Sequence, residues 1–242
     1  MKPQALCLLA NDLADVLRHP AINLEFGVGF RALTLQQADL LINLLAARRE
    51  QFYFAPRRDI ENDPSKLQPI GYTLVLTSDN KALVYNRPNK TGEQRLAGAA
   101  SIGFGGHVEI PDWVNQLVPA DYGNFRFVME NSIHRELREE LSLLQRADFE
   151  TGTVQQNSAE LGYGEPQLIG VILSDATETD KVHMGFVYTV RLFEPVDEHW
   201  RADISARAAD EVINLRQVPL SELTLVEGLE SWSQLIVDGV YK

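Results

Sequence analysis

The run Arg135-Glu136-Leu137-Arg138-Glu139-Glu140 carries carboxylates at spacings that an α-helix turns into one acidic face. Glu136 precedes Glu139 by three residues and Glu140 by four, so the three stack over a single helical turn. Like charges so placed cost about 0.2–0.5 kcal/mol per pair. A divalent cation reverses that cost. Mg²⁺ takes one or two carboxylates and leaves its remaining positions to water and substrate phosphate. The chemistry this suits is attack by water on a phosphate group, with the ion neutralising phosphate oxygens and acidifying the water. Glu139 or Glu140 is the first candidate for general base, and Glu109 is a further base or ligand candidate. Arg135, four residues before Glu139, is placed to orient one carboxylate. On composition alone the same stretch also reads as an ordinary solvated acidic face.

The elements that must position these groups follow from periodicity. Ile133, Leu137, Leu141 and Leu144 form an apolar stripe opposite the carboxylates, and the pattern predicts a helix over 131–144. Upstream lies Gly103-Phe104-Gly105-Gly106-His107-Val108-Glu109. Gly105 and Gly106 permit close backbone approach to a ligand, and His107 is a candidate phosphate contact. Tyr72–Thr77 and Ala82–Asn86 flank a turn and predict a hairpin. Arg87, Lys90 and Arg95 follow it, placed either to meet a distal phosphate or to form a solvated basic surface. Strands are predicted at Ala99–Phe104, Leu168–Leu173, Val182–Phe193 and Val212–Val218, with a terminal helix over 227–236. At the other end, Leu6, Leu9, Leu13, Val16 and Leu17 predict a helix over 4–18. A second helix begins at a Thr34/Gln37 capping box and carries Leu40, Leu41, Leu44 and Leu45. The segment from Phe52 to Pro69 reads as a connector.

With 242 residues the chain can bury a substantial core, and its 45% hydrophobic and 23% charged residues place it among soluble globular proteins. No apolar run reaches membrane-spanning length, so a cytoplasmic, non-membrane protein is expected. Cys7 is the only cysteine, which excludes an internal disulfide or a thiolate metal cluster. A formal net charge of -12 disfavours a nucleic-acid polymer as partner. It is compatible with a phosphate substrate once cations have inverted the local charge.

The glycine loop together with Arg135-Glu136 and Glu139-Glu140 resembles the Nudix box, whose usual form is glycine, five residues, glutamate, seven residues, arginine-glutamate, an aliphatic, any residue, two glutamates, any residue, glycine and an aliphatic. Gly106 matches the first glycine, and Leu137 and Leu143 the aliphatic positions. The resemblance covers about Gly71 to Leu223 and implies the Nudix (MutT-like) hydrolase superfamily, similar to bacterial MutT-like phosphoesterases. It implies an α/β class protein, an α/β/α sandwich with a mixed sheet, as a catalytic domain over 69–242, before which the two helical patterns predict an N-terminal helical extension over 1–68. It further implies that Glu136, Glu139 and Glu140 bind Mg²⁺ or Mn²⁺, that Glu211 is a downstream acidic site residue, and that a homodimer forms. The expected partner is a diphosphate-containing small molecule.

Three departures stand out. Arg135 lies 29 residues after Gly106 instead of the family's 14, an insertion of about 15 whose Trp113, Tyr122, Phe125 and Phe127 either stack on a substrate or pack locally. Asp112 stands at the box glutamate position if the insertion follows it. Ser142 replaces the last glycine, costing roughly 1 kcal/mol if the left-handed conformation is kept, unless the helix simply runs on. A Nudix-like fold also supports isoprenoid diphosphate isomerisation, but the chain lacks the cysteine such chemistry needs near the substrate. The remaining alternative is a ligand-binding or regulatory protein that keeps the fold without catalysis.

Overall fold

A computed structural model of the chain describes residues 3–25, 27, 29–88, 98–114, 124–145, 162–198, 200 and 212–241. Two compact units emerge, one of Met1–Tyr72, Gly105–Ile133 and Leu168–Tyr188, the other of Thr73–Phe104, His134–Gln167 and Thr189–Lys242.

The chain opens with β1 (Gln4–Leu9) and α1 (Ala10–Leu17), then β2 (Gly29–Ala32), α2 (Leu35–Ala46), β3 (Tyr53–Pro56) and α3 (Arg57–Ile60). Residues 4–9 are thus extended, contrary to the expected helix over 4–18. Ala5, Leu6, Cys7 and Leu8 are consecutively buried, as a strand covered on both faces requires and a one-sided helix does not. β1 pairs antiparallel with β3, with Cys7 opposite Tyr53. Burial pushes the Cys7 thiol above its ordinary range, consistent with a core role. The α2 capping box is present: the Gln37 amide donates to Thr34 Oγ1 at 3.2 Å and the Thr34 amide to Gln37 Oε1 at 3.1 Å.

The central strand β4 (Lys66–Leu76) is buried along nearly its whole length. It turns at Asn80, φ 63°, into β5 (Lys81–Asn86), with Leu76 opposite Ala82, confirming the hairpin. Arg191 braces the turn by donating to the Thr77 carbonyl at 2.9 Å and to Asn80 Oδ1 at 3.0 Å. Then come β6 (Ala100–Ser101), β7 (Gly103–Phe104), α4 (Ile110–Val114), α5 (Phe125–Leu141), β8 (Leu144–Gln145), β9 (Gly162–Tyr163), β10 (Gln167–Leu173), β11 (His183–Arg191), β12 (Ile213–Pro219) and α6 (Ser231–Val240).

In the first unit β2 pairs antiparallel with β10, and β1 with the start of β4. In the second, β12 and β6 flank β5, and β7 pairs with β4 at Thr73 and Leu74. β11 neighbours both β4 and β10, and β8 runs parallel to β9. The result is an α/β sandwich built on a mixed sheet, as expected. α6 starts at Glu230, whose buried carboxylate accepts from the amides of Trp232 and Ser233, each at 2.9 Å.

Tyr85 on β5 and Tyr188 on β11 are fully buried, and desolvation raises both phenols far above the ordinary value near 10. A raised folded-state pKa means that stability is intact below about pH 10 and falls above it, where only the unfolded chain can ionise these groups. Urea unfolding between pH 8 and 11 is expected to show stability falling above pH 10 by about 1.4 kcal/mol per pH unit for each phenol. Tyrosinate absorbance for these two should appear only with unfolding.

Candidate functional site

α5 begins at Phe125, earlier than the expected residue 131, because Phe125, Val128, Met129 and Ile133 already present a buried face. In the second unit Leu137 and Leu141 continue that face at 0% exposure. Burial of each such side chain contributes about 1.5–3 kcal/mol, which outweighs the few tenths lost to carboxylate repulsion. The helix ends at Leu141, and Leu144 lies in β8.

Ser142 adopts φ 51°, so it keeps the left-handed helix-ending conformation of the glycine it replaces. Its amide donates to the Arg138 carbonyl at 3.0 Å, and the Leu143 amide reaches back to Leu137 at 3.2 Å, satisfying carbonyls that the helix end would leave bare. Ser142→Gly is expected to relieve the Cβ strain and, after the entropy that glycine adds to the unfolded chain, to stabilise by about 0.5–1 kcal/mol. A melting temperature higher by about 1–3 °C in a calorimetric scan is the check.

The carboxylates have distinct settings. Arg135 Nη1 donates to Glu136 Oε1 at 2.8 Å and to Glu139 Oε2 at 3.2 Å, so one guanidinium joins both acids. The Glu136 side chain is 14% exposed and that of Glu139 59%, which leaves Glu139 open to solvent. Glu140 is half-buried near the Tyr85 phenol, and its charge adds to the forces that keep that phenol protonated; the Arg87 guanidinium acts on the same phenol in the opposite sense. Arg87 is half-buried, with its Nε buried. The Tyr85 hydroxyl donates to the Gly103 carbonyl at 3.2 Å.

In the first unit, Gly105 has φ 139° and lies so close to β4 that a Cβ there would run into the Gly71 carbonyl oxygen. The Gly71 amide donates to the Gly106 carbonyl at 3.3 Å, and Ile70 bridges to His107. The Leu6 amide donates to the Val108 carbonyl at 3.0 Å, so β1 also holds this loop. His107 Nε2 lies 3.1 Å from His183 Nε2, while His183 Nδ1 donates to the Thr179 carbonyl at 2.7 Å. His183 is thereby left with Nε2 as acceptor when neutral, and His107 donates to it. Glu109 is exposed at the start of α4. Asp112 is 3% exposed and its carboxylate accepts the Glu109 amide at 2.8 Å, which makes it a local cap.

Where it is described, the insertion packs against the Phe52–Phe54 segment. Trp113 sits against Phe52 and Phe54 with ring centroids 6.3 and 6.0 Å apart, and Phe125 stacks on Phe52 at 5.1 Å. Phe127 is 39% exposed. Arg95, Glu211, Lys90 and Tyr122 lie outside the described residues.

Among the described residues no group of three or more His, Cys, Asp and Glu side chains converges on a metal-sized point. The helix nevertheless offers an all-oxygen donor set, which suits Mg²⁺ or Mn²⁺, and Mg²⁺ needs only one or two protein carboxylates. Among the described residues no helix is long and apolar enough to cross a membrane.

No family model matches the sequence. The chain is 28% identical over 204 residues to Protein YmaB of Bacillus subtilis, covering 83% of this chain and 82% of that one. In structure it is similar to Tm1382, a protein assigned provisionally to the Nudix hydrolases, with TM-score 0.61 and 20% identity over 98% of both chains. The MutT protein of Methanosarcina mazei superposes at TM-score 0.41 with 15% identity, over 72% of this chain and 92% of that one. The chain thus shares its fold with Tm1382.

Proposed function

We propose that the chain hydrolyses a diphosphate linkage in a nucleotide or related small molecule, with Mg²⁺ or Mn²⁺ held by Glu136, Glu139 and Glu140. The observation that carries this reading is the Arg135 guanidinium bridging Glu136 and Glu139, which fixes two acids side by side on the helix. When bound, the cation supplies neutralisation of the diphosphate and activation of the attacking water. Arg135 orients the carboxylates. Glu139, the most exposed of the pair it holds, takes the water proton, with Glu140 or Glu109 as the alternative acceptor. Gly105 and Gly106 supply backbone that a phosphate can approach, beside His107. Arg87, and with it Arg95, meets the distal phosphate, and Glu211 completes the acidic set. A cytoplasmic homodimer acting on a small molecule is part of the same proposal.

A ligand-binding or regulatory role is the second reading, because Arg135 already offsets one of the two charges of Glu136 and Glu139 without an added ion. The deciding experiment measures phosphate or nucleoside-monophosphate release from nucleoside triphosphates, dinucleoside polyphosphates, ADP-ribose, nucleotide sugars and CoA esters, with and without Mg²⁺ or Mn²⁺. Metal-dependent turnover that a Glu139→Gln/Glu140→Gln double variant loses supports hydrolysis. A folded protein that binds these compounds and turns none over supports the regulatory role.

A further inference from the structure

β2 (Gly29–Ala32) is the last strand of its sheet and pairs with β10 on one side. The Leu33 amide donates to the Ile169 carbonyl at 2.9 Å, and Arg31 stands opposite Val171 in the same register. Antiparallel ladders alternate, so Arg31 and Leu33 turn their peptide groups to β10 while Phe30 and Ala32 turn theirs outward. Among the described residues those outward groups meet no backbone partner. Ala32 is exposed and Phe30 half-buried. The Phe30 ring lies so close over Gly170 that a Cβ there would come within 2.4 Å of it, which clamps β2 to β10 as a fixed template. The Arg31 side chain is exposed and has no ion pair or hydrogen bond among the described residues. It lines a cavity of about 310 Å³ closed by Ala32, Leu33, the 20–24 turn and Gln37, and among the described residues no carboxylate lines that cavity.

A strand added antiparallel through Phe30 and Ala32 sets one of its residues directly opposite Arg31, in the close non-hydrogen-bonded pairing. For a second copy of this chain, the register that satisfies both outward residues of each copy puts Arg31 against Arg31, and like charges directly opposite destabilise. A carboxylate in that place gains an opposite charge. The net charge of -12 acts over a longer range and repels strongly acidic segments. We propose that the outer edge of β2 docks an extended segment of another protein that carries one acidic residue among uncharged ones, its backbone pairing with Phe30 and Ala32 and its carboxylate with Arg31. The inference is independent of the diphosphate reading.

The test uses the full-length chain and fluorescein-labelled peptides of the form threonine-valine-threonine-X-threonine-valine-threonine, with glutamate, glutamine or lysine at X. Binding is followed by fluorescence anisotropy up to about 1 mM protein, beside a thermal melt of each variant. The glutamate peptide should bind about fivefold tighter than the glutamine peptide and about tenfold or more tighter than the lysine peptide. Arg31→Glu should reverse that order, which a loss of stability would not do. Ala32→Pro removes an amide that β10 does not use, and should weaken the glutamate peptide about tenfold or more with the melting temperature within a few degrees of wild type. Should Ala32→Pro not fold, the peptide itself carries the test: N-methylation at its third and fifth residues, whose amides face β2, should abolish binding, and N-methylation at the second and sixth should not. Absence of binding by all three peptides overturns the proposal, as does an order of affinity unchanged in Arg31→Glu or equal affinity of the two N-methylated forms. A wild-type dimer in sedimentation that Ala32→Pro converts to monomer would give this edge to a second copy and overturn it too.

Discussion

Gly105→Ala is expected to destabilise the protein by about 3 kcal/mol or more, a size reserved for substitutions that force backbone to move. Two independent effects add. At φ 139° an L side chain meets its own backbone, in a region of conformational space that belongs almost entirely to glycine. Independently, the new Cβ would overlap the Gly71 carbonyl oxygen and sit 3.0 Å from the Gly71 carbonyl carbon. Gly71 lies in β4 and cannot retreat easily, since Ile133 and Met129 lie on the side its own missing Cβ would occupy. The loop must then lift, losing the Gly71 to Gly106 hydrogen bond. Urea unfolding should show the midpoint lower by about 1–2 M. A shift below about 0.3 M would mean that the loop is not seated on β4.

The second large effect concerns chemistry. Glu136→Gln preserves shape and volume and removes one charge, so the loss should fall on turnover and not on folding. With the substrate that the panel identifies, kcat is expected to fall about 10²–10³-fold, a rise of about 3–4 kcal/mol in the barrier, with the melting temperature within a few degrees of wild type. The change also frees Arg135 from one of its two acids, so raising Mg²⁺ should recover only part of the activity. Turnover within a factor of three of wild type would remove the carboxylate helix from the mechanism.

The parts of the fold legible in the sequence were those with a local physical signature. α2 announced its start through a capping box, and α5 through a long stripe that only a 3.6-residue period explains. The β4–β5 hairpin was visible because two apolar runs flank a short polar turn. β1 is hidden in the sequence because Leu6 and Leu9 fit a helical spacing when taken with α1, although the unbroken burial from Ala5 to Leu8 belongs to a strand with both faces covered. The early start of α5 was hidden within an insertion defined by counting from the box, although Phe125, Val128 and Met129 carry the same period as Ile133.

Site residues divide in the same way. The Arg135 pairing with Glu139 follows from i,i+4 spacing and was anticipated; its simultaneous hold on Glu136 was not. The inward turn of Asp112 as a cap, the His107–His183 pair and the Tyr163–His134 bond join residues through side-chain geometry or over long stretches of chain. Tertiary packing creates those neighbours, and no local spacing encodes them. A signal was available for Ser142, since a polar residue replacing a helix-ending glycine keeps the left-handed turn when the bonds behind it, here to Arg138 and Leu137, are worth the strain.

The aromatic anchoring of Trp113 also bears on motion. To swing α4 outward, and Glu109 with it, the indole must leave both Phe52 and Phe54. At about 1 kcal/mol per ring contact, beyond the burial and the Asn131 hydrogen bond to Asp112 that are lost as well, the swung-out state lies at least about 2 kcal/mol above the packed one, a population of at most about 3% at equilibrium. A ligand would have to favour that rare arrangement at least about 30-fold merely to bring the two to equal occupancy, so the packed α4 is the form in which Glu109 meets most arriving molecules.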